Sequence, residues 1–130
     1  MNDAQDRYRG KPVYFRVYHE LIQAAQYRGV TTYQDVAVIM GLPTTGSHMG
    51  RELGHMVGAI SENEHHAGRP MLSAVVVRKD GSIGDGFFEF AQKLGRLGPN
   101  DDKDVFLKSE REAVYEVWRR TIREESRATD

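Results

Sequence analysis

The chain contains no cysteine. Disulfides, thiol nucleophiles, iron–sulfur clusters and cysteine-ligated zinc are thereby excluded. Long apolar runs are missing too. Nothing approaches the roughly 18–20 consecutive apolar residues that a membrane-spanning helix needs. Neither sign of charge dominates, because 18 Lys and Arg face 19 Asp and Glu for a net charge of −1. Many nucleic-acid-binding domains are strongly basic, so any such role here has to rest on a local patch. No internal repeat or low-complexity segment is visible. Met1 to Arg9 is polar, without an apolar leader-type stretch, and the expected location is cytoplasmic.

What is present is ordinary for a globular chain. Of the 130 residues, 39% are hydrophobic and 28% charged, enough to bury a core without a staple. The expected organisation is a flexible segment over residues 1–12 and a single domain over residues 13–130. Its most compact part runs from Val13 to Leu94.

Pro12 suits a helix start, and Phe15, Tyr18, Leu21, Ile22 and Ala25 recur at the helical period through Tyr27. Arg28-Gly29 predicts its end. Val30 to Tyr33 is β-branched and short. Thr32 is a plausible N-cap for a helix over Tyr33 to Met40, supported by Asp35 in the first turn. Gly41 to Gly46 reads as a turn. Ser47 is then expected to cap a third helix over His48 to Ile60, with Met49, Leu53, Met56, Val57 and Ile60 inward. Its other face would show His48, Arg51, Glu52 and His55. Two short helices joined by a glycine-bearing turn match a helix-turn-helix.

Ser61 to Arg69 reads as a polar loop and Met71 to Val77 as a buried strand. Asp80-Gly81 is a turn signal, and Ser82 to Gly86 predicts a wing or hairpin return. Phe87 to Leu94 is expected to be a short helix. A last helix is predicted over residues 105–123, with Val114, Tyr115, Val117, Trp118 and Ile122 in line. That stripe is read as covering the core, and alternatively as a homodimer face.

Three stretches, in this order, resemble the DNA-binding domain of the alkylguanine-DNA alkyltransferases, and more closely the non-enzymatic alkyltransferase-like proteins. They are Gly29 to Ala37, Gly50 to Met56, and Pro70 to Val77 followed by Asp80-Gly81. The likeness spans Val17 to Gly86. It implies a winged-helix domain that binds double-stranded DNA. On that resemblance, Tyr33 matches the tyrosine that helps rotate a nucleotide out of the duplex, and Arg51 the arginine that fills the space left behind. The reactive cysteine is absent, with Met71, Leu72, Ser73 and Ala74 in its region, so methyl transfer to a thiol is impossible.

The residues themselves raise other chemistry. His48, Glu52 and His55 fall at helical spacing compatible with a metal site, with Glu64, His65 and His66 nearby. Asp85 and Glu89 are one helical turn apart, as paired acids that hold magnesium are. Against that, Asp85 also suits a helix cap, and no lysine follows two residues after Glu89. Ser73 lacks the small-residue elbow that exposes a catalytic serine. The glycines at 84 and 86 form no phosphate-cradling motif.

The expectation is thus an α/β, mostly α, winged-helix-like domain with a short β-hairpin and an added C-terminal helix. It would bind double-stranded DNA without catalysis, cofactor or metal, through Tyr33, Ser47, His48, Arg51, His55, Arg78 and Lys79. The alternatives are a small metal-dependent nuclease or hydrolase, and a protein–protein interaction module.

Overall fold

Pro12 opens the first helix, as a residue with a preset φ and no N–H to lose is suited to do. In the computed structural model, which describes residues 7–119, this helix, α1, spans Pro12–Gln26. A two-residue strand, β1 (Thr31–Thr32), leads into α2 (Tyr33–Met40) and the long α3 (Ser47–His66). A 3-10 turn (Leu72–Val75) and a second two-residue strand, β2 (Val76–Val77), precede α4 (Asp85–Lys93) and α5 (Lys103–Trp118). The fold is therefore mostly helical, with one small sheet.

Local chemistry accounts for most of the boundaries. The Thr32 hydroxyl accepts the Asp35 N–H at 3.1 Å, the expected cap of α2. Gly41 ends that helix at φ 72°, where only glycine is unstrained. The Leu42 N–H returns to the Ala37 carbonyl at 2.9 Å, closing a Schellman-type end. At the end of α1, Arg28 rather than Gly29 takes the left-handed conformation, at φ 54°. Its guanidinium lies against Glu112 of α5 at 2.6 Å and over the Tyr115 ring, contacts that hold the turn.

Several expectations are corrected. There is no β-hairpin among the described residues: β1 and β2 pair in parallel, Thr31 with Val76 and Thr32 with Val77. Asp80-Gly81 closes a tight turn instead, with the Arg78 N–H bonded to the Ser82 carbonyl at 2.7 Å. The buried segment from Met71 is a 3-10 turn before it is a strand. Here the Ser61 hydroxyl accepts the Ser73 N–H and the Ala74 carbonyl accepts from Arg111 at 2.7 Å, so side chains replace a ladder. Ser47 is the first residue of α3 and Gly46 its N-cap, at φ 96°. That helix also runs six residues past Ile60, through the stretch read as a loop, because the buried Ser61 and Glu64 find partners in Ser73 and Arg69. The last helix starts at Lys103, capped by Asp102, and Arg119 leaves it. Residues 120–123 of its expected span lie outside the described residues.

The core forms where α1, α3, the 3-10 turn and α5 meet. Val17, Leu21, Met56, Ile60, Leu72 and Val114 are among its fully buried side chains. Residues 7–11, expected to be flexible, are tied to α3. Arg7 and Tyr8 both donate to Glu52, and Arg9 donates to Glu62 at 2.9 Å. Glu52, expected on the exposed face, is therefore buried. Arginines thus meet buried carboxylates and brace the fold in the pairs Arg7–Glu52, Arg69–Glu64 and Arg96–Glu110.

Candidate functional site

Residues of α3, α2, β2 and α4 enclose a groove of about 560 Å³. Its floor is apolar, with Leu53, Val57, Val76, Phe87 and Phe90. Its polar groups are few: Tyr33, Ser73, Arg78 and Asp85. An apolar cleft of this size with a few polar groups is the usual form of a binding site.

Glycine keeps the groove open. Gly50, Gly54 and Gly86 line it, and a β-carbon added at any of them would meet nothing within 4 Å. None has a positive φ. Each such glycine costs a helix about 1 kcal/mol relative to alanine, and here neither packing nor backbone geometry requires it. Gly84 is different, because a β-carbon there would stand 2.6 Å from the Tyr33 hydroxyl oxygen. The Tyr33 ring packs over the start of α4, and burial, outweighing a hydrogen bond from the Gly84 backbone, pushes its hydroxyl pKa up.

The candidate residues from the sequence fall into two groups. Tyr33 and Arg78 line the groove. Ser47, His48 and Arg51 are exposed on the first turns of α3, next to Gly50, and Lys79 is exposed in the turn after β2. Arg51, Arg78 and Lys79 have no ion-pair partner among the described residues. His55 is half-buried, with Nδ1 3.7 Å from Glu52. The groove mouth carries both signs of charge, the cation Arg78 and the anion Asp85.

Other candidate chemistry is not assembled. Among the described residues no three His, Asp or Glu side chains come together as a metal site would need. Glu52 is committed to Arg7 and Tyr8, which removes it from the His48–Glu52–His55 set. Asp85 and Glu89 are both exposed on α4, where Gly84, not Asp85, is the N-cap. The Ser73 hydroxyl accepts from Ser61 at 2.7 Å, a hydrogen bond with no base in it. Sequence reasoning missed the groove itself. The signal was present in Gly50 and Gly54, spaced four apart on one helix, but it needs the facing Phe87 and Phe90 to acquire meaning.

Among the described residues no helix is long and apolar enough to cross a membrane. No family model matches the chain, and neither a curated protein nor a solved structure matches it.

Proposed function

We propose that the chain is a non-catalytic protein that binds double-stranded DNA, built on a helix-turn-helix scaffold of the winged-helix, alkyltransferase-like type. One observation carries the reading. The first turns of α3 expose Ser47, His48 and an uncommitted Arg51 beside a groove whose polar rim includes Tyr33 and Arg78. In this reading α3 is the recognition element and follows α2 across the turn at residues 41–46. Arg78 and Lys79 contact phosphates from the tight turn that stands where a wing would be.

The roles follow from the chemistry. Phosphate contacts give position and most of the affinity, and weaken as salt rises. Turning a nucleotide out of the stack costs a few kcal/mol. A guanidinium at Arg51 offsets part of that cost by stacking and hydrogen bonding in the vacated space. The apolar groove beside Tyr33 receives the everted base against Phe87 and Phe90. Without a thiol, the bound base is held and not altered.

Fluorescence anisotropy with a labelled duplex at low salt tests this. Wild-type protein should bind, with affinity falling linearly on a log–log plot against salt. Arg51→Ala should weaken binding by about fivefold or more, and Lys79→Ala should also reduce the salt slope by about one. A flat titration at low salt overturns the proposal. So does magnesium- or manganese-dependent cleavage of the duplex that is lost in Asp85→Asn, which would make the protein a hydrolase.

A further inference from the structure

The rim of the groove carries two opposite charges without an ion-pair partner. Arg78, just after β2, and Asp85, at the start of α4, both line the groove and both are exposed. They do not pair with each other, and neither is in an ion pair with any other described residue. Asp80 is close enough to feel Arg78, but its carboxylate is held by the Ser82 N–H at 3.0 Å and the Ser82 hydroxyl at 2.6 Å. A cation and an anion left apart on one rim complement a ligand that carries both charges. A ligand with a negative group alone is opposed by Asp85, and one with a positive group alone by Arg78.

The Tyr33 hydroxyl adds a polar group beside Arg78. It takes a hydrogen bond from the Gly84 backbone, and Arg78 lies near enough to counter part of the upward push that burial gives its pKa. No described residue accepts the Tyr33 proton. A carboxylate next to Tyr33 therefore meets a guanidinium and a free O–H donor. Below the rim the space is apolar, between Leu53 and Val57 of α3 and Phe87 and Phe90 of α4. The open positions at Gly50 and Gly54 leave α3 bare there, so a flat ring can lie against the helix with the phenylalanines offering edge or face contacts. The volume of about 560 Å³ takes in a molecule of one or two rings whole.

We propose that the groove binds a free aromatic amino acid, with its ring between α3 and α4, its carboxylate on Arg78 and the Tyr33 hydroxyl, and its ammonium on Asp85. The same residue within a peptide lacks one or both of these charges and does not match the rim. The ligand fills the space that an everted base would take, but it binds without DNA, so each activity can be lost while the other is kept.

Equilibrium dialysis of the full chain in the absence of DNA tests this. The probes are L-tryptophan, indole-3-propionate, which keeps only the carboxylate, and tryptamine, which keeps only the ammonium. L-Tryptophan should bind, and each analogue should bind about tenfold more weakly or worse, the loss of one charged hydrogen bond. Arg78→Gln should bring L-tryptophan down to the level of tryptamine without weakening tryptamine. Asp85→Asn should bring it down to the level of indole-3-propionate without weakening that analogue. Both side chains are exposed, so a thermal melt should find both variants folded. No binding of L-tryptophan at millimolar concentration overturns the proposal. So do analogues that bind as tightly as L-tryptophan, or an Arg78→Gln loss that is equal for L-tryptophan and tryptamine.

Discussion

The Tyr33 hydroxyl occupies the space that a side chain at Gly84 would need, 2.6 Å from where its β-carbon would stand. Tyr33 begins α2 and Gly84 caps α4, so this contact fixes one wall of the groove against another.

Gly84→Ala should therefore displace the Tyr33 ring. The expected cost is about 1–3 kcal/mol, the range for overpacking a well-filled site. Urea denaturation should show a lower midpoint, and Tyr33→Phe in the same background should restore part of it.

Gly50→Ala and Gly54→Ala should act in the opposite sense on stability. Both positions are open and helical, so each change should add up to about 1 kcal/mol. Because the new methyl groups enter the groove, both should weaken binding of whatever ligand lies there. A melt that rises while DNA affinity falls is the expected signature; an unchanged affinity would detach the groove from the proposed function.

Ser61 and Ser73 should respond unequally to truncation. The Ser61 hydroxyl donates to Ser73 Oγ and accepts the Ser73 N–H. Ser61→Ala thus leaves a buried N–H and a buried hydroxyl without that partner, at about 1–3 kcal/mol. Ser73→Ala leaves only the Ser61 hydroxyl and should cost less. Chemical denaturation of the two variants compares them directly.

Two ionisable clusters predict opposite pH dependences. Tyr8, and with it Arg7, holds the Glu52 carboxyl below its ordinary value of 4.5 despite its burial. Its contribution to stability is full above that value and is lost as the pH falls through the depressed one. Glu52→Gln should flatten the acid limb of the stability profile. Burial, then the bond to Glu64, pushes the Tyr18 hydroxyl up to about 12. That contribution is complete below the ordinary tyrosine value of 10 and fades as the pH rises from there towards the folded value. Ultraviolet titration should show a late tyrosine component near the top of the range that shrinks in Tyr18→Phe.

Arg69→Ala should be among the more damaging surface-facing changes. It leaves Glu64, whose side chain is 0% exposed, without its cation. Breaking such a pair costs about 3–5 kcal/mol. The cost is reduced here because Tyr18 still donates to Glu64 and because water already screens the outer part of Arg69. Urea denaturation of the variant measures the loss, and one below about 1 kcal/mol would show that this pair does not brace the fold.

The helices were legible where one local rule sufficed. Thr32 with Asp35 marked the start of α2, and the Met49–Ile60 stripe marked the buried face of α3. The failures share a cause, which is that distant partners decided. Ser61 and Glu64 carry α3 onward only because Ser73 and Arg69 meet them. Short apolar runs are ambiguous in the same way. The stretch from Ala74 through Val75, Val76 and Val77 reads as one strand, yet Arg111 and Ser61 take up backbone groups that a neighbouring strand would have used. Phe15 is exposed and its neighbour Tyr14 buried; they differ by one position, and periodicity alone does not choose between them. Of the candidate site, individual residues such as Tyr33 and Arg78 were readable, but their shared cavity is a product of tertiary packing.

The parallel pairing of Thr31–Thr32 with Val76–Val77 also bears on how the chain reaches this structure. Its two strands are separated by all of α2 and α3, so the pairing closes a long loop, and loop closure must precede the contacts that reward it. The helices form from neighbours in sequence and have no such wait. The sheet should accordingly be consolidated late. Substitutions at Thr31 or Val76 should then mainly speed unfolding, while those at Met56 or Ile60 should mainly slow folding, a division that the two limbs of a chevron plot would separate.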